Sequence, residues 1–163
     1  MPKRIMVLPA ADRSLGDAAG EPGGLGLDIK NHILFAMCAR PNVCVVLDAI
    51  DGKGLATLPI GSGTVTGGFN LATMEAFSSQ RDGTLTIIKE TSPTDFVVEQ
   101  TVQTKQGCKT SALDTKNNRI VLIGTERLPG AAANAPAGTN APAGERRASR
   151  GGPGNLDVLF VGR

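Results

Sequence analysis

The side chains best suited to chemistry in this sequence are few and scattered. There is a single histidine, His32, so any Ser-His-Asp or Cys-His arrangement must use it. It closes the run Asp28-Ile29-Lys30-Asn31-His32, which sits between two apolar segments and reads as an exposed turn. No G-x-S-x-G stretch marks a nucleophile elbow. The three cysteines, Cys38, Cys44 and Cys108, are too few and too odd in number for a disulfide framework. Cys38 and Cys44 flank a hairpin turn and are within reach of facing each other across it. Buried free thiols are the expected state, because cysteine packs as a small hydrophobe. No C-x-x-C pair and no histidine spacing suggests a metal site.

Asp28 and Asp114 recur at one position of a repeated motif, with Asn70 in a third copy. A residue that recurs in every copy is expected to be structural, here capping a turn by accepting hydrogen bonds from nearby backbone N–H groups. The stretch Gly61-Ser62-Gly63-Thr64 through Gly67-Gly68 invites a phosphate-loop reading. It lacks the Lys-Ser/Thr pair and a following helix, and is better read as a link between repeats where chains crowd together. The sequence therefore designates no catalytic, cofactor-binding or metal-ligating residue and calls for no cofactor.

The elements that carry these residues are strands. With no Trp, no Tyr and five Phe, the core must be built from Val, Ile, Leu and Ala. Leu27-Asp28-Ile29-Lys30-Asn31-His32-Ile33-Leu34-Phe35 matches Leu113-Asp114-Thr115-Lys116-Asn117-Asn118-Arg119-Ile120-Val121, and Phe69 to Phe77 is a weaker copy. Each copy is strand, polar turn, strand. Third strands follow at 43–48, 85–89 and 156–161, and fourth strands at 54–60 and 97–104. A four-strand motif at about 40-residue spacing is the signature of a β-propeller blade. The fold expected is all-β, a partial β-propeller of about three four-stranded antiparallel blades. The whole chain, 1–163, forms one propeller region. It holds an outer strand of a blade at 4–10, blades at 24–60 and 67–104, and an incomplete blade at 109–163. Phe35, Phe77 and Val121 take equivalent second-strand positions and are expected to be buried between neighbouring blades.

Residues 127–153 interrupt the last blade. They are rich in Ala, Gly, Pro and Asn and contain Glu145-Arg146-Arg147-Ala148-Ser149-Arg150. They are expected to form a mobile solvated loop, with an anionic partner for the basic cluster as the alternative.

Val45-Val46-Leu47-Asp48-Ala49, Gly52-Lys53, Ala56-Thr57-Leu58-Pro59-Ile60-Gly61, Phe77-Ser78-Ser79, Asp82 to Ile88 and Val161-Gly162-Arg163 resemble the C-terminal half of the YVTN family of β-propeller repeat proteins, the YncE-like group. The resemblance implies a periplasmic or cell-surface setting in a longer propeller. Met1 to Leu8 is too short in its apolar stretch for an export leader, so the compartment stays open.

Composition narrows the functions. Seventeen basic and fifteen acidic side chains leave a net charge of +2, with no basic stripe for nucleic acid or an anionic membrane. Single-stranded nucleic acid binding also lacks stacking aromatics. The expected function is a non-enzymatic scaffold for a protein or small ligand. The alternative is a propeller-type enzyme, a lactonase-like hydrolase or a quinone- or haem-associated oxidoreductase. The expected assembly is a homodimer that completes a ring, with a poorly soluble fragment as the alternative, because three blades are fewer than the roughly 4–8 of closed propellers.

Overall fold

Strand-forming residues alternate with turn formers along the chain, and each four-strand run folds onto itself. The computed structural model describes residues 20–127 and 154–162. The first sheet is β1 (Pro22–Asp28), β2 (Ile33–Ala39), β3 (Asn42–Asp48) and β4 (Gly54–Pro59), in that order and antiparallel. The second repeats the order with β5 (Thr64–Asn70), β6 (Glu75–Gln80), β7 (Thr84–Ser92) and β8 (Asp95–Gln103). The third holds β9 (Thr110–Asp114), β10 (Arg119–Arg127) and β11 (Gly154–Gly162), with β10 central. The expected strand at 4–10 and nearly all of the expected loop at 127–153 lie outside the described residues. Arg127 itself ends β10.

The first turn of each sheet is built the same way. Asp28 accepts from the N–H groups of Lys30 (2.8 Å) and Asn31 (3.2 Å). Asn70 accepts from Ala72 N–H at 3.1 Å, and Asp114 from Asn117 N–H at 3.2 Å. Four residues on, His32, Met74 and Asn118 all take a left-handed backbone, with φ of 56°, 53° and 52°. The carboxylate or amide thus holds the turn closed while its last residue reverses the chain. The recurring Asp/Asn position is structural and its capping bonds are local, while Asn70 Nδ2 also donates to Asn118 Oδ1 in the turn of the third sheet at 2.6 Å.

The sheets stack through apolar faces. Ile33, Phe35, Met37, Cys44 and Val46 of the first meet Ala76, Ile88 and Phe96 of the second. Phe77, Leu85 and Ile87, on the other side of the second sheet, meet Ile120 and Leu122 of the third. The innermost strands crowd most. A Cβ on Gly24 would lie 2.7 Å from the Gly67 nitrogen, and one on Gly26 2.8 Å from the Gly68 oxygen. Only glycine lets two backbones approach so closely. This corrects the reading of 61–68 as one link. The link ends at Gly63, and Gly67 and Gly68 stand inside β5, where the crowding occurs.

Val121 is a second correction. Register makes it equivalent to Phe35 and Phe77, opposite Ala112 where they face Gly26 and Gly68. Phe35 and Phe77 are buried against the next sheet, whereas Val121 is half-buried, because no further sheet among the described residues packs on that side.

Candidate recognition cleft

Between the first two sheets, at the end opposite the capped turns, lies an open cleft of about 540 Å³. Two equivalent hairpins flank it. Arg40 comes from the β2–β3 turn and Arg81 from the β6–β7 turn. Glu21, Asn42 and Ser62 add polar side chains. At its base both inner strands carry an irregularity, β1 between Pro22 and Gly24 and β5 between Thr64 and Thr66. Gly23 and Val65, the residues at these bulges, line the cleft. Bulges re-aim strands and are frequent beside functional sites.

The glycine link from β4 to β5 closes one wall, and its amides are already engaged. Gly61 N–H donates to Thr86 Oγ1 (3.3 Å), Ser62 N–H to Asp82 Oδ2 (2.5 Å) and Gly63 N–H to Asn42 Oδ1 (3.2 Å). Gly63 needs its φ of 74° to make this turn. Burial works to raise the Asp82 carboxyl, but hydrogen bonds from the Thr84 hydroxyl and the Ser62 and Thr84 amides outweigh it and hold the carboxyl below its usual range. Asp82 is therefore a fixed anion that braces the link. Arg40 pairs with Glu21 at 3.1 Å, with the two side chains 80% and 58% exposed. Such a solvated pair is weak and exchangeable.

Behind the link lies a buried polar row that the sequence reading did not single out. Gln80 Oε1 accepts from the Thr84 and Thr86 hydroxyls at 3.1 and 3.4 Å, while Gln80 Nε2 and Ser79 Oγ are buried without a partner among the described residues. The cleft's arginines were also missed. The signal was present, an arginine at the same hairpin of two successive repeats, but alignment on the first turn of each repeat did not reach it.

The other residues with chemical potential lie elsewhere. His32 is exposed on its turn. Cys38, Cys44 and Cys108 are buried free thiols. Cys44 pairs in register with Met37 and Cys38 with Val43, so the two thiols point to opposite faces of the sheet and do not face each other. Burial first, then neighbouring Cys38, pushes the Cys44 thiol up to about 12, which keeps it protonated and inert.

At the capped-turn end, Glu90 of β7 is buried against the Asp28 turn and accepts from Asn31 Nδ2 at 2.6 Å, while its other oxygen has no hydrogen-bond donor among the described residues. Burial pushes the Glu90 carboxyl above its usual range, opposed by the Asn31 hydrogen bond and reinforced by Asp28. A smaller cleft of about 190 Å³ between the second and third sheets has Phe77, Ile87 and Ile120 in its lining. Its two glutamates, Glu75 and Glu99, are engaged by other groups.

No family model and no curated protein matches the chain. Solved structures do. Hydrazine synthase from Kuenenia stuttgartiensis, a propeller-type protein, superposes with a TM-score of 0.55 at 13% identity over 63% of this chain. This chain spans 30% of that one. A protein from Lactobacillus plantarum superposes at 0.49, with 17% identity over 62% of this chain and 34% of its own. At such identity the likeness concerns fold alone. Three antiparallel sheets stacked face to face, with their first strands converging, make this an all-β chain of β-propeller blades.

Proposed function

We propose that this chain is a non-enzymatic β-propeller scaffold of the YVTN, YncE-like kind, and that it recognises a protein or small ligand through the cleft between its first two sheets. One observation carries the reading. Arg40 and Arg81 stand on equivalent hairpins around an open cleft whose inner strands are bulged, while the recurring Asp28, Asn70 and Asp114 are used up in turn capping. A volume of about 540 Å³ falls within the usual range for ligand sites. The YncE-like assignment, with the exported setting it implies, rests on the residues quoted above. The test is a fragment and peptide screen read by amide shifts of the labelled protein. Shifts clustering on Arg40, Asn42, Ser62 and Arg81 support recognition there. A screen that moves none of them refutes it.

Assembly is part of the same proposal. The open side of the third sheet carries Val121, Ile123, Leu156 (65% exposed), Val158 (50%) and Phe160 (57%). By register this is the side that, in the first two sheets, packs on the sheet that follows. A following sheet from a second copy fits there, and the described sheets of two copies number six, within the roughly 4–8 of closed propellers. Sedimentation across a hundredfold concentration range is expected to show a dimer that Phe160→Glu disrupts. A monomer throughout overturns it.

A further inference from the structure

We infer that the cleft between the first two sheets takes a carboxylate, presented by an acidic peptide or a small organic acid. This rests on the recognition reading above and narrows it to a ligand class. Free hydrogen-bond capacity in the cleft is dominated by donors. Among the described residues the Arg81 guanidinium has no hydrogen-bonding or ion-pair partner, and Asn42 uses its oxygen for Gly63 N–H, which leaves its NH₂ group to donate. Among the described residues Arg40 is held only by Glu21, in a pair exposed enough for an incoming anion to compete.

The kind of anion follows from which donors are spent. A phosphate site at a glycine loop works because several backbone N–H groups converge on the oxygens. Here the amides of Gly61, Ser62 and Gly63 donate to Thr86, Asp82 and Asn42 instead. Asp82 also sets a fixed negative charge behind Ser62, which repels the two charges gathered on one phosphate group more than the single charge of one carboxylate group. What remains is guanidinium and carboxamide. A guanidinium fork matches the two oxygens of a carboxylate in a bidentate pair. Arg40 and Arg81 on opposite hairpins suit a ligand with a carboxylate at each end, or an extended peptide with two acidic side chains.

The experiment titrates the full labelled chain with tetraglutamate, succinate, inorganic phosphate and tetraglutamine at low salt. Tetraglutamate or succinate is expected to shift Ser62, Gly63 and Arg81, and which of them binds more tightly identifies a peptide or a small acid as the source. Arg81→Ala is expected to weaken that binding at least tenfold while the circular dichroism spectrum stays unchanged. Arg81→Lys, which keeps charge but loses the fork, is expected to recover only part of it. Stronger binding of phosphate than of either acid, or no effect of Arg81→Ala, overturns the inference. If tetraglutamine shifts the same residues as strongly, the carboxylate inference falls and recognition at the cleft stands. If none of the four probes moves them and the wider screen is also blank, both fall.

Discussion

Phe35→Ala tests how the first sheet is held on the second. The Phe35 side chain is fully buried. Its ring stacks on Phe69 of β5 at 5.3 Å and meets Phe96 of β8 edge-on at 5.7 Å. Truncation empties a site lined from both sheets, which costs about 3–5 kcal/mol in a packed core. Each aromatic pair lost adds about 0.5–1.5 kcal/mol, placing the expected value toward the upper end. Against a total stability of about 5–15 kcal/mol, this is a third or more of the fold. Melting should fall by about 6–20 °C, taking roughly 2–4 °C per kcal/mol at this size. Urea unfolding followed by far-ultraviolet circular dichroism suits a chain without Trp or Tyr. The control is Val121→Ala in the Phe160→Glu background, which keeps the third sheet open; at this equivalent position it is expected to cost about 1 kcal/mol because only part of the side chain is buried. A cost below about 1 kcal/mol for Phe35→Ala, with an unchanged denaturant slope, would refute the packing of the first sheet on the second.

His32→Asn should stabilise the fold by about 0.5–1 kcal/mol, since asparagine tolerates the left-handed backbone at φ 56° better and the side chain is exposed; a loss in urea midpoint would contradict the turn geometry. Gly26→Ala should cost about 1–3 kcal/mol, because the new Cβ would fall 2.8 Å from the Gly68 oxygen of the neighbouring strand; a neutral result would mean β1 and β5 are further apart. Glu90 carries a pH dependence. Its native carboxyl is raised above the unfolded value of about 4.3, so the native state holds the proton more tightly. That contribution is present below the unfolded pKa and is lost as pH rises through the raised native one. Glu90→Gln, which imitates the protonated acid, should therefore raise the urea midpoint more at pH 8 than at pH 4, and equal gains at both would show that Glu90 is not strained by its burial.

Much of the fold is legible because its determinants are local. An Asp or Asn that caps a turn needs only the N–H groups two or three residues on, so Asp28, Asn70 and Asp114 announce their role at any one copy, and the repeat multiplies the signal. Runs such as Val43-Cys44-Val45-Val46-Leu47 read as strand from composition and from the turns that bound them. Which face of a strand meets which neighbour is not local. Both faces of a blade are apolar, so alternation is weak, and only the stacking of sheets separates buried Phe35 and Phe77 from half-buried Val121. The same holds for Gly67 and Gly68, where a Cβ would run into the Met37 sulfur and the Phe77 ring, side chains 30 and 9 residues away in sequence. The cleft lies furthest from the sequence. Arg40 and Arg81 stand on hairpins of different sheets and become neighbours only because those sheets stack, and the free donors between them depend on hydrogen bonds that exist only once the link has folded. Strand, turn and repeat are set by residues within a few positions of one another, whereas faces and clefts are set by contacts between sheets.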